Sequence, residues 1–258
     1  LKISSFACLS TPKQKEQNER ERMSMMSIAD NYRRIREAIP PHVAIVAACK
    51  NRSPDEIIEV IHVGVSDIGE NYVQEAESMY NALGEEAKKV RWHMIGHLQR
   101  NKVKRALRIF DVMQSIDSLG LAEAIDRRVP DIDRWGDGKV PVYIEINIGS
   151  EFAKHGLPPD YEEVRKFIEG MSGLEHLSVE GLMTMGPRFE DPEKVRPYFG
   201  ETREMFERIK SLNVPNVNMK YLSMGMTNSY EVAIQEGSNM VRIGTAIFGE
   251  RPPSNPAR

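Results

Sequence analysis

Little in this 258-residue sequence announces a specialised class. It has two cysteines, Cys8 and Cys49, too few for a disulfide framework or a four-cysteine metal site. No apolar run approaches the ~18 residues that mark a membrane-spanning helix. Neither charge dominates: 35 basic against 38 acidic residues leave a formal net charge of −3. Nothing therefore draws the whole chain to nucleic acid or to a membrane surface, and neither is expected as a partner. No Pro/Gly/Ser-rich linker divides the sequence, and no short-period repeat runs through it. What is present, 40% apolar and 28% charged residues, describes a soluble globular chain whose length suits one α/β barrel or two modest domains.

The first 22 residues stand apart. They are polar and charged, without an apolar core for a secretory signal, and Glu16, Glu19 and Glu21 argue against a transit peptide. Met23, Met25 and Met26 are candidates for a natural start. Residues 1–22 are expected to be an extension, disordered in part, with one domain over 23–258; the alternative is a short native arm docked on the body. A cytoplasmic location is expected.

From Ser27 onward the pattern is orderly. Ile28, Tyr32, Ile35 and Ile39 lie on one face of a helix that Pro40-Pro41 closes. The run VAIVAAC, 43–49, looks like a strand buried on both faces. Ser53-Pro54-Asp55-Glu56 follows, with an N-cap, a proline at the first helical position and a glutamate placed for a capping box. Strand patterns recur at 65–70, 91–96, 111–116, 140–148, 178–185, 221–225 and 239–248. Helical patterns fall between them at 72–83, 98–108, 118–128, 160–171, 192–211 and 228–236, the last with an Asn228/Glu231 capping-box signal. Eight strands alternating with helices predict an α/β fold, a single (β/α)8 TIM barrel with an extra N-terminal helix. An open doubly wound sheet is the competitor. It usually carries a Gly-rich turn after its first strand, where this chain has Lys50-Asn51-Arg52.

Barrel chemistry sits at the C-terminal strand ends, with phosphate commonly held after strands seven and eight. Lys50 stands directly behind the first strand. A lysine at an apolar barrel mouth is desolvated, which favours a neutral, nucleophilic amine suited to a carbonyl partner. Taken alone, such a lysine is more often a side chain snorkelling to water. Ser223, Gly225, Gly244 and Thr245 offer hydroxyls and close-approaching amides where a phosphate would sit, although glycines also simply end strands. Arg242, two residues before Gly244, shares its face of the strand and could pair with a ligand ring or a carboxylate. Cys49 should point outward as core filler, and Met183, Met185, Met224 and Met226 are expected to line core and pocket. His93 and His97 would share a strand face, but no third ligand is evident and no metal is expected. The basic string Arg100, Lys102, Lys104, Arg105 and Arg108 reads as a solvated helix face.

These residues fall in segments that resemble the pyridoxal phosphate homeostasis protein family, small relatives of the N-terminal barrel of alanine racemase. The segments are VAIVAACK (43–50), IGENYVQEA (68–76), WHMIGHLQRNK (92–102), INIGSEFAKHG (146–156), EGLMTM (180–185), YLSMGM (221–226) and VRIGTAIFGER (241–251). The combination is specific where any one alone is not. The resemblance implies that Lys50 forms an aldimine with pyridoxal 5′-phosphate and that Ser223, Gly244 and Thr245 hold the phosphate. Asn71 and Met226 would line the cofactor, and Arg242 would face the pyridine nitrogen. Ala48-Cys49 stands where the family often has Val-Ser, and Thr227-Asn228-Ser229 departs from its usual serine and aspartate.

The family resemblance also implies a carrier that keeps the cofactor available to apo-enzymes without turnover. Alanine racemase takes a second base from another domain, and here the chain stops at Arg258, close behind strand eight. A monomer is expected on the same ground. A competing reading is a racemase or related lyase in which Tyr72, His93 or His97 supplies the base. A third is a binding barrel that uses the basic helix.

Overall fold

In the computed structural model, residues 27–151 and 155–250 are described; the extension expected at 1–22 lies outside them. Eight parallel strands close into a barrel in sequence order. They are β1 (Ala44–Ala48), β2 (Asp67–Glu70), β3 (Arg91–Met94), β4 (Val112–Ile116), β5 (Val140–Ile146), β6 (Leu177–Thr184), β7 (Val217–Ser223) and β8 (Met240–Ile243). Around them run α1 (Ile28–Ala38), α2 (Pro54–His62), α3 (Val73–Leu83), α4 (Val103–Ala106), α5 (Leu119–Asp126), α6 (Tyr161–Gly170), α7 (Arg196–Lys210), α8 (Tyr230–Gln235) and α9 (Thr245–Phe248). No helix among the described residues is long and apolar enough to cross a membrane.

The period-two alternation of a strand sorts the residues into two cores. Ile45, Ala47, Cys49, Val241 and Ile243 face outward and join the large cluster shared with the helices. Val46, Val112, Tyr143, Met183 and Met240 form a small cluster inside the barrel. Cys49 is fully buried in the outer layer, as its parity predicts, and burial pushes its thiol pKa up.

Helix starts follow local chemistry. Ser53 Oγ accepts from Glu56 N while Glu56 Oε2 accepts from Ser53 N, completing the box read from the sequence. The expected box at Asn228 and Glu231 does not form. Helix α8 starts at Tyr230, and Ser229 Oγ instead accepts from Met226 N at 3.2 Å, tightening the preceding turn. The helix expected over 98–108 shrinks to a 3-10 turn, Arg100–Lys102, and the four residues of α4. Arg100, Lys104 and Arg108 place like charges four apart, which works against a long helix. The strand expected over 239–248 ends at Ile243, and Thr245–Phe248 coils into a helical turn, because a short apolar run does not distinguish strand from buried helix. Strand β7 begins at Val217, four residues earlier than expected; Asn218 and Lys220, exposed at the barrel's lower rim, disguise it.

The extra helix α1 covers the seam where the barrel closes. Asn31 Nδ2 donates to the Ile247 carbonyl in α9. Arg52, with 3% of its side chain exposed, gathers the other end of α9. Its Nη1 donates to the Phe248 carbonyl at 3.1 Å and to Glu56 Oε1 at 3.2 Å, and its Nη2 to the Gly249 carbonyl. A cation at a helix C-terminus complements the dipole and satisfies its last carbonyls. Arg52→Ala should therefore cost about 2–4 kcal/mol, read as a lowered urea midpoint, with Arg52→Lys recovering only part because an ammonium cannot fork.

Candidate functional site

Strand pairing builds the site. Strand β1 pairs with β8 with Ala47 opposite Ile243, so the segments beyond them, Lys50 and Gly244-Thr245, leave the barrel side by side. Lys50 is half-buried, and its Nζ lies 3.4 Å from Tyr72 Oη and 4.8 Å from that ring's centroid. The aromatic ring beside this amine is itself 48% exposed. Gly244 belongs where it is because a Cβ there would stand 3.3 Å from the Ala48 carbonyl oxygen. Thr245 is exposed at the start of α9, where first-turn amides have no partner within the helix. Thr227 Oγ1 accepts from Ala246 N at 3.4 Å, so the loop after β7 reaches the same turn. Gly225 has φ +95°, and a Cβ would meet Ala233 Cβ at 2.6 Å; backbone and space both demand glycine. Met226 is half-buried beside it, and Asn71, half-buried, precedes Tyr72.

Arg242 and Ser223 lie deeper, inside the barrel. Arg242 is 4% exposed and Ser223 0%. Arg242 Nη1 donates to the Ser223 carbonyl at 2.9 Å and to Ser223 Oγ at 2.6 Å, and Nη2 to the Thr184 carbonyl at 2.7 Å. Burial lowers the Arg242 pKa to about 10, offset in part by the charge of Glu145. The Ser223 hydroxyl donates to Gln114 Oε1 at 2.7 Å. A hydroxyl has one proton to give, so Ser223 could donate to a phosphate only by releasing Gln114. The chain continues downward. Gln114 Nε2 donates to His93 Nδ1 at 2.8 Å, which leaves the proton of a neutral ring on Nε2, and that nitrogen meets Asp67 Oδ1 at 2.8 Å. Asp67 also accepts from Arg91 Nε and Ser66 Oγ. His93, read from the sequence as a possible base, is 0% exposed and fully engaged here.

The neighbouring half of the mouth is a cavity of about 490 Å³ lined by Asn71, Tyr72, His97, Glu145, His155 and Met185 among others. Lys50, Gly244 and Thr245 do not line it, whereas Tyr72, which contacts Lys50, does. Glu145, 4% exposed on the inner face of β5, has its pKa pushed up to about 7 by burial and by Asp117. Neither Glu145, Gln114 nor His155 stood out in the sequence; for the first two the signal was a polar residue at an inward strand position.

Beneath the Lys50 loop, Glu70 is 2% exposed and its Oε2 has no hydrogen-bond partner. Burial, reinforced by Glu75, raises its pKa to about 8, against the lowering effect of the Asn71 amide and Lys50. A carboxyl that holds its proton more tightly folded than unfolded supports the native state fully below the ordinary value of 4.5, and that support is lost as pH rises through about 8. Glu70→Gln should remove this decline. The variant is expected to gain stability over the parent at pH 8.5 but little at pH 5, checked by urea midpoints across that range.

Known proteins resemble this chain in sequence and in fold. The alanine racemase N-terminal domain family matches residues 23–252. A pyridoxal phosphate homeostasis protein of Aquifex aeolicus is 40% identical over 207 residues, 80% of this chain and 86% of that protein. The structure of PipY from Synechococcus elongatus without PLP superposes with a TM-score of 0.79 at 29% identity, covering 86% of this chain and all of that one. The PipY structure with PLP bound gives 0.76 at 28% identity over the same shares.

Proposed function

This chain belongs to the pyridoxal phosphate homeostasis protein family, and on that premise we propose that it binds pyridoxal 5′-phosphate through Lys50 and keeps it available in the cytoplasm without turning over a substrate. The observation that carries the reading is the β1–β8 register, which sets an accessible amine beside a glycine-backed turn. The residues fit the group. Lys50 offers the amine, and Gly244, Thr245 and Thr227 surround a short helical turn able to receive a phosphate. Asn71, Gly225 and Met226 would line the cofactor, Asn71 also bordering the neighbouring cavity. Arg242, held by Ser223, would face the pyridine nitrogen, so Ser223 would act through the arginine as much as on the phosphate.

Pyridoxal phosphate supplies an aldehyde, which condenses with an amine to an imine and one water. In this protein Lys50 would be the amine, and its half-buried position would let water or an incoming amine reverse the bond. Reversal suits a protein that hands the cofactor on to apo-enzymes, as a monomer, rather than one that seals it in. Support for the non-catalytic role comes from relatives named for homeostasis.

One contact favours a second reading, a racemase or related lyase: the Tyr72 hydroxyl stands 3.4 Å from Lys50 Nζ, close enough for a phenol to relay a proton at the amine. The parent protein incubated with the cofactor should show an imine absorption band that Lys50→Ala lacks, with the borohydride-reduced adduct mapping to Lys50. Amino acids added in deuterium oxide should exchange no Cα proton faster than with free cofactor. Exchange that Tyr72→Phe abolishes would transfer the case to the enzyme.

A further inference from the structure

Across the mouth from Lys50, three residues distant in sequence converge on one point. His97 follows β3, Asp117 follows β4, and His155 lies in the loop after β5. The last is placed by a tied backbone: Leu157 N donates to the Glu145 carbonyl and Asn147 N to the Leu157 carbonyl, both at 2.8 Å. The two imidazoles stack at 3.7 Å between centroids and 11° between planes. Both turn Nδ1 toward one carboxylate oxygen, Asp117 Oδ2, at 3.7 Å from His97 and 3.9 Å from His155. Neither gap is a hydrogen bond. Both resemble the separation of neighbouring ligands around a single ion, since atoms bonded at 2.0–2.2 Å to a tetrahedral centre stand roughly 3.4 Å apart. One ligand atom from each residue lies within 4.8 Å of the other two.

We infer that His97, Asp117 and His155 form a binding site for a divalent transition-metal ion of the zinc class. Two imidazoles and one carboxylate suit zinc, cobalt or nickel, and disfavour magnesium and calcium, which take all-oxygen sets. The electrostatics agree. Among the described residues Asp117 has no lysine or arginine ion pair, only these two histidines. It also faces Glu145, a second carboxyl group, whose charge Arg242 offsets in part. Closing the triangle needs the rings to leave their stack, and His155, with 57% of its side chain exposed, has room to turn. Three protein ligands leave a coordination position open. His97 and His155 both line the 490 Å³ cavity, so that position opens into it, where water or a ligand carboxylate would complete the shell. The sequence pair His93/His97 is not the site, because His93 is committed inside the barrel.

The inference does not rest on the cofactor reading, and one set of titrations tests it apart from that reading. Full-length, tag-free, metal-stripped protein is titrated with zinc by calorimetry and with cobalt by visible absorption. One equivalent of each should bind, and His97→Ala, Asp117→Asn and His155→Ala should each weaken zinc binding tenfold or more while circular dichroism stays unchanged. Exposed His42→Ala and the cofactor-anchor variant Lys50→Ala should bind zinc as the parent does. No saturable binding by the parent, or equal binding by the His97→Ala/His155→Ala double variant, would overturn the site.

Discussion

A guanidinium held inside a barrel has to be satisfied there, and Arg242 sets that condition for the interior. Where such barrels commonly stack layers of branched aliphatic side chains, this one runs a column of polar groups from Arg242 through Ser223, Gln114 and His93 to Asp67. Each member is buried and each is paired. A network of this kind is stable only when complete, because any member deleted strands its neighbours in a low-dielectric space. The arginine also binds the Thr184 carbonyl, so the ends of β6, β7 and β8 are fixed to one another. The turn after β8 rests on that base.

The mouth above divides into two halves of different character. On one side stands the Lys50 amine, with the turn of Gly244 and Thr245. On the other, Glu145 and Asp117 lie near two histidines that line the cavity together with Lys102. Tyr72 lies between them, touching the lysine with its ring and hydroxyl while bordering the cavity. Glu70, buried below the same loop, stays largely protonated at neutral pH and so adds little charge opposite Lys50. The amine thus meets a local field set by near neighbours rather than by the small net charge of the chain.

Much of this could be read before any coordinates. The apolar run at 43–49, the Ser53/Glu56 box and the alternation that followed gave the barrel, and the position behind the first strand singled out Lys50. What stayed hidden was hidden for physical reasons. Thr245–Phe248 is too short for periodicity to separate strand from helix, and β7 begins in residues whose polarity belongs to a solvent-exposed rim. The meeting of His97, Asp117 and His155 depends on three different loops, and no local spacing encodes it. Ser223 does end its strand, yet the commitment of its hydroxyl to Gln114, 109 positions away, has no local signal.

The seam between β1 and β8 has a further cost in time. Ala44 pairs with Met240, almost the full length of the domain away. At synthesis rates of about 5–20 residues per second, roughly 10–40 s pass between the two strands leaving the ribosome. Through that interval β1 has one edge with no partner, the condition under which nascent chains pair wrongly with one another. Its composition answers the hazard: three of its five residues are alanine, a weak strand former that gives a foreign edge little to hold. The same small side chains leave the Ala48 carbonyl open to Gly244, so the strand that waits safely is also the one that can be approached closely when its partner arrives.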